Sequence, residues 1–322
     1  MNSFPRPVVV VSKCLGFDSC RYNGQTVNDR FIHLLKPFVE FITVCPEVEI
    51  GLGVPRSPIR IALQDDKKVL YQPATERMVT DQMIAFTDQF LTSLADVDGF
   101  ILKNRSPSCG SGDVKIYPGF EKTASSTRGS GFFGGEVLER FSGLAIEDEG
   151  RLKNFAIREH FLIKLFALAR LRKVRDEKTM KALVQFHSRH KLLFLAYHQA
   201  GYRQAGRIVA NHEKLPIENV LERYEEQVKL ILTKTPNYKS MINSLQHAYG
   251  GISDGLTKEE KIFFLNTIEE YRDERIPLST VLHLLKGYAL RFNNTYLLEQ
   301  VLLQPYPVEL VEITDSGKGR NY

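Results

Sequence analysis

The stretch PVVVVSKC, residues 7–14, decides how the first half of the chain is read. Its four consecutive valines make a short apolar β-branched run that stops at a polar Ser-Lys pair, the composition of a strand running into a loop. The segments after it keep alternating. DRFIHLLKPF (29–38) has helical spacing, VEFITV (39–44) is a second strand, and ATERMVTDQMIAFTDQFLTSL (74–94) sets Met83, Phe86, Phe90 and Leu94 on one helical face. DGFILK (98–103) is a third strand and FFGGEVLERF (132–141) a further helix. Strand, helix, strand, helix, strand predicts an α/β N-terminal domain with a mainly parallel sheet.

The second half has another texture. From about residue 154 to 304 nearly every segment has period 3.6, as in FAIREHFLIKLFALARL and IENVLERYEEQVKLIL. Breaks are marked near Leu215-Pro216, Pro236, Gly250-Gly251 and Pro277. The reading is an all-α helical domain, giving domains 1–147 and 148–322 joined through LAIEDEGRLKN, with SGKGRNY as a loose tail.

The 322 residues are 43% hydrophobic and 25% charged, an ordinary globular balance. No apolar run approaches the roughly 20 residues that span a bilayer, so no membrane partner and a cytoplasmic location are expected. Four cysteines are too few for a disulfide scaffold; in a reducing compartment they point to metal binding or catalysis. The net charge of +5 conceals an asymmetry: residues 151–214 hold 15 Lys/Arg against 4 Asp/Glu, with five of the eight histidines. A positive field confined to one segment suits a polyanion.

Placed on the coarse map, Cys14, Cys45 and Cys109 each follow a strand. Ligands of parallel α/β sheets sit beyond the carboxyl ends of the strands, so the three thiols converge despite separations of 31 and 64 residues. Zinc and an iron–sulfur cluster both suit three converging thiolates. Cys20 reads as an incidental thiol in a turn, because no strand end delivers it to the shared point. His33, mid-helix, reads as a core or surface residue. RGSGFFGG (128–135) lacks a P-loop lysine and reads as a turn before a helix.

Three blocks in order, SKCLGFDSCRYNG, VCPEVEIGLGVPRSPIRI and KNRSPSCG, resemble the motifs of the thiouracil desulfurase family. The resemblance implies a 4Fe-4S cluster held by Cys14, Cys45 and Cys109 with one open iron, and removal of sulfur from a thiolated uracil without net redox change. It implies Glu47, in CPE, as the catalytic carboxylate, and Ser106 or Ser108 as a catalytic hydroxyl. EDEGRLKNFAIREHFL and FHSRHKLLFLAYHQAGYRQAGRIV resemble the helical domain fused to this family, and the fused form resembles the bacterial tRNA 4-thiouridine desulfidases. The implied partner is tRNA containing 4-thiouridine. Two rivals stand beside it: the same chemistry on free thiouracil or thionucleosides, and a non-catalytic metal or cluster protein that binds RNA and senses redox state.

For RNA contact, His187, His190 and Lys191 fall at i, i+3 and i+4 on one helix face, which Arg203 and Arg207 extend past a break at Gly201. Arg170, Arg172, Lys173 and Arg175 form a tighter basic run, expected as a phosphate track. Packing of the two histidines between helices is the competing reading. Arg56 and Arg60 would contact phosphate or ribose, or else pair with acids such as Glu47; Lys103 carries the same two readings.

Overall fold

The valine run forms β1 (Val8–Ser12), whose last four residues are buried. In a computed structural model describing residues 4–121 and 125–312, it is followed by α1 (Arg30–Leu35), β2 (Glu40–Val44), the one-turn α2 (Pro46–Glu49) and β3 (Arg60–Gln64). Next come β4 (Lys67–Gln72), β5 (Arg77–Met78), α3 (Thr80–Ser93), β6 (Gly99–Leu102), β7 (Val114–Tyr117), β8 (Thr127–Gly129), α4 (Phe132–Arg140) and β9 (Ala145–Asp148). The helical part comprises α5 (Phe155–Glu177), α6 (Met180–Tyr197), α7 (Gln199–Ala210), α8 (Ile217–Ile231), α9 (Tyr238–Gly250), α10 (Lys258–Arg272), α11 (Leu278–Arg291) and the short α12 (Thr295–Leu298). The tail SGKGRNY lies outside the described residues.

The expected α/β and all-α succession is what the chain adopts. One sheet has the order β2-β1-β6-β9 and is parallel throughout. Its register sets Ser12 beside Val44, Val11 beside Ile101 and Leu102 beside Asp148, so the carboxyl ends of the strands lie level. Val10, Phe100, Leu102, Phe133 and Val137 form its core, with Phe86 and Phe90 of α3 and Leu94 at its C-terminal cap packed on them. Met83, one turn earlier on α3, packs instead with Ile61, Leu70 and Ile116 of a second sheet.

That second sheet, of order β5-β4-β3-β7-β8, was not foreseen. Its strands are short and each carries at least one Lys or Arg, so no apolar run announces them. Pairing of Tyr71 with Met78 and Gln72 with Arg77 takes residues 77–78 into β5, so the helix expected from residue 74 begins at Thr80. The expected linker LAIEDEGRLKN contributes β9 to the sheet edge and then a single 3-10 turn.

The chain divides into two compact units, Met1–Ala169 with Glu309–Tyr322, and Arg170–Val308. In the second, the helix boundaries follow local chemistry. Thr179 and Asn237 cap α6 and α9 through their side chains, Thr257 and Glu260 form a capping box on α10, and Pro216 and Pro277 open α8 and α11. The break expected at Gly201 falls at His198 instead: its extended backbone separates α6 from α7, and its Nδ1 accepts the Gly201 amide.

Candidate functional site

The level strand ends act as a platform. Cys14 lies two residues beyond β1, Cys45 caps α2 directly after β2, and the loop after β6 carries Ser106, Ser108 and Cys109. All three cysteines line one cavity of about 680 Å3, together with Cys20, Glu47, Arg56, Arg60, Lys103, Lys115 and Tyr117. That volume is in the range of small-molecule sites. Parallel registration thus brings together loops whose thiols are 31 and 64 residues apart in the chain.

The 103–110 loop is fastened from three sides. Its Lys103 amide donates to Ser12 Oγ at 2.8 Å and its Asn104 amide to Glu149 Oε2 at 2.8 Å, while Lys103 Nζ pairs with the other oxygen of Glu149. The third fastening is the glycine-rich start of α4 with its cap residue Gly131. The amides of Gly131, Phe132 and Gly134 donate to the carbonyls of Gly110, Pro107 and Ser108 at 2.8, 3.1 and 3.0 Å. A β-carbon at Gly134 would stand 2.4 Å from Gly110 O. These glycines serve close approach of helix to loop, and their amides are spent on it.

Glu47 is the centre of the polar network. Arg56 donates to its Oε2 through Nε (2.9 Å) and Nη2 (2.7 Å), and Arg56 Nη1 also donates to the carbonyls of Cys20 and Gly53 at 2.9 Å. Glu47 Oε1 accepts from Ser108 Oγ at 2.8 Å, with Ser106 Oγ at 3.4 Å. Ser106 Oγ accepts the amides of Ser108 and Cys109 at 3.3 and 3.2 Å and lies 2.9 Å from Ser108 Oγ. The two serines are therefore not equivalent. Ser106 ties the loop together, whereas Ser108, 1% exposed and 3.8 Å from Cys109 Sγ, bridges carboxylate and thiol.

All four thiols are buried and unpaired by disulfides. Hydrogen bonding to Cys20 together with burial pushes the Cys45 thiol far up; a bond to Cys14 pushes Cys20 up to about 11. Burial pushes Cys109 up to about 12, with the Ser12 and Ser108 hydroxyls pulling the other way. Cys20, expected to be incidental, is thus a fourth member of the group. Thiolates in so desolvated a place need a strong positive charge among them, which bound metal supplies. Among the described residues no three His, Cys, Asp or Glu side chains close on a point suited to a single ion. Soft sulfur donors ranged around a cavity, here Cys14, Cys20, Cys45 and Cys109, suit a group of several metal atoms.

The helical unit distributes the expected contact residues unevenly. His190 is buried, stacked on Phe186 at 3.8 Å, and its Nδ1 donates to Phe186 O at 2.8 Å; burial holds it well below the usual imidazole range. His187 is half-buried, 2.9 Å from the Tyr224 hydroxyl and stacked on Tyr202. Lys191 lies over the Tyr296 ring. Arg203 and Arg207 are exposed on α7. The run 170–175 does not share one face: burial lowers Arg170 to about 10, Arg175 pairs with Glu225 at 3.7 Å, Arg172 is half-buried and Lys173 is exposed. His33 is exposed on α1. No helix among the described residues is long and apolar enough to cross a membrane.

Against known proteins, residues 9–149 match the 2-thiouracil desulfurase family model, and residues 191–307 match a family described as a protein of unknown function, DUF1722. The uncharacterized protein YbgA of Escherichia coli strain K12 is 29% identical over 158 residues, which cover 48% of this chain and 93% of that protein. The uncharacterized protein YbbK of Bacillus subtilis strain 168 is 32% identical over 116 residues, covering 33% of this chain and 76% of that protein. A solved structure of the 4Fe-4S-dependent thiouracil desulfidase TudS is 27% identical and covers 46% of this chain and 93% of its own, with a TM-score of 0.36. Through residues 9–149, which contain every cysteine, Glu47 and both serines, the chain belongs to the 2-thiouracil desulfurase family.

Proposed function

We propose that the protein is a cytoplasmic desulfidase that converts 4-thiouridine in tRNA to uridine, with a 4Fe-4S cluster held by Cys14, Cys45 and Cys109. The observation that carries the reading is the Glu47–Ser108 pair, 2.8 Å apart within the cavity that the three cysteines line. When bound, the cluster supplies an open iron, a soft Lewis acid for the thione sulfur.

The chain's own groups account for the rest. The cavity takes the pyrimidine with its C4 toward Glu47. Glu47 Oε1 accepts a proton from a water that attacks C4, and Arg56 fixes the carboxylate through Oε2 so that Oε1 points inward. Ser108, hydrogen-bonded to Oε1 and beside Cys109, passes that proton toward the departing sulfur. The C–S bond breaks, the water oxygen remains as the C4 carbonyl, and sulfide leaves with two protons, so no electrons are gained or lost. Arg60, held over the Tyr117 ring at 5.8 Å in the cavity wall, faces the rest of the nucleotide. The thiolated base of a folded tRNA has to be splayed out to enter.

The family's description favours a second reading, in which a free thiolated pyrimidine is the substrate. One experiment separates them. The protein is purified and reconstituted anaerobically, then given 4-thiouridine-containing tRNA, 4-thiouridine or 2-thiouracil. Loss of near-ultraviolet absorbance with sulfide release on the tRNA supports the proposal; release from the small molecules alone supports the rival. Glu47→Gln should lower turnover by about 10^2 to 10^4 while sparing tRNA binding. Turnover at the wild-type rate in that variant would remove the mechanism.

A further inference from the structure

Helix α7 holds two glycines, and packing explains only one. A β-carbon at Gly201 would stand 2.5 Å from His198 Nδ1 and 2.8 Å from Ile231 Cγ1, so no side chain fits where α7 meets α8. A β-carbon at Gly206 would meet only His187 Nε2, at 3.6 Å, an ordinary contact. Alanine would fit there and is a far better helix former, so nothing in the fold asks for glycine. Glycine also marks places where a ligand approaches the backbone closely.

The surroundings of Gly206 give that approach a chemistry. His187 on α6 faces the gap with Nε2, while its Nδ1 lies 2.9 Å from the hydroxyl of the fully buried Tyr224. His187 is that hydroxyl's only hydrogen-bond partner among the described residues. If the imidazole donated, the buried phenol proton would be left without an acceptor, so the phenol donates and Nε2 keeps the ring hydrogen. Tyr202 lies parallel to the imidazole, 5.3 Å away and tilted by 5°, and fixes its plane. The Nε2–H forms no hydrogen bond within the described residues. On α7, Arg203 and Arg207 share the helix flank next to Gly206, one before it and one after it in the chain, exposed and without a carboxylate partner among the described residues. The helix carries no acidic residue, so its exposed face is purely cationic.

We propose that the α6/α7 groove over Gly206 is a phosphodiester clamp for RNA: His187 Nε2–H donates to one phosphate oxygen through the gap, and Arg203 and Arg207 hold the flanking phosphates. The clamp rests on the tRNA reading above and narrows it to one helix pair, in place of the 170–175 run. An anion bound here positions the RNA and reads no sequence.

The test uses the full-length reconstituted protein and 4-thiouridine-containing tRNA, with binding followed by fluorescence anisotropy over a salt series and folding checked by circular dichroism. Gly206→Leu, which covers Nε2, should weaken binding about tenfold, and the pair Arg203→Gln with Arg207→Gln should also lower the salt slope by about two. Gly206→Ala, which keeps the helix, should give a smaller loss. In the weakened variants the ratio of tRNA turnover to 4-thiouridine turnover should fall. Wild-type affinity in folded Gly206→Leu and in the double variant would overturn the clamp, as would a wild-type protein that turns over the nucleoside but does not bind tRNA. Weakened binding in a protein that turns over neither substrate would instead support the clamp and remove the desulfidase reading.

Discussion

Two sets of arginines and lysines look alike in the sequence and are used in opposite ways. In the α/β unit, Arg56 is 4% exposed along its side chain and is locked on Glu47, while Lys103 is locked on Glu149. In the helical unit Arg203 and Arg207 stand exposed on α7. A cation bound to a buried carboxylate shapes a cavity and gives nothing to a partner; an exposed cation without a carboxylate is available to one. Charge counts cannot separate these cases, and the run 170–175 shows it: its charge density is high, yet Arg170 is half-buried and Arg175 is paired with Glu225.

Removing one half of a buried pair is the severest way to probe this difference. Arg56→Ala leaves Glu47 facing the thiols without its counter-charge and strips a donor from the Cys20 and Gly53 carbonyls. Loss of one partner from such a pair costs about 3–5 kcal/mol, so the α/β unit should melt well below the wild type by calorimetry. Arg203→Ala should move the midpoint of the helical unit little, because an exposed side chain without an ion-pair partner among the described residues contributes little to stability. Equal shifts in the two variants would erase the distinction.

The histidines form a third class, since burial removes them from the positive field that the sequence suggests. His160 is lowered to about 4 by burial and by Lys164, and His187 and His190 are lowered by the same kind of desolvation. Each therefore favours the folded state most above the unfolded value near 6.5. As pH falls from 6.5 toward 4 the unfolded chain takes up these protons first, and His160 alone withdraws roughly 3 kcal/mol at most. Thermal midpoints measured between pH 7 and 4 should fall, and His160→Gln should flatten that slope. An unchanged slope would mean that this imidazole is charged in the fold.

Much of the cavity could be read from residues because parallel strands place their ends together whatever the sequence distance. Three cysteines each a few residues past an apolar run were enough to bring Cys14, Cys45 and Cys109 to one place. What could not be read was decided by contacts between segments of no local pattern. Cys20 joins the thiols because the turn 14–27 folds back, its Val27 amide donating to Cys14 O at 2.7 Å. Glu149 fastens the 103–110 loop from the position directly after β9, a strand too short and too polar to be recognised. Ser106 and Ser108 differ only in where their hydroxyls point, which spacing does not encode. In the helical unit the apolar period located the helices, but it could not say that His190 turns inward while His187, three residues earlier, reaches the groove.

That last distinction can be tested by a small change. Tyr224→Phe keeps the ring contacts with Phe186 and His187 but deletes the hydroxyl that donates to His187 Nδ1. The loss of one neutral hydrogen bond is about 1 kcal/mol, a shift of a few degrees in the melting of the helical unit. The imidazole is then free to place its hydrogen on Nδ1, which turns Nε2 from donor into acceptor and repels a phosphate oxygen. Nitrogen chemical shifts of the His187 ring should show the change in protonation pattern, and tRNA affinity should fall with it. A purely packing role for Tyr224 would lower the midpoint and leave both the ring shifts and the affinity as they were.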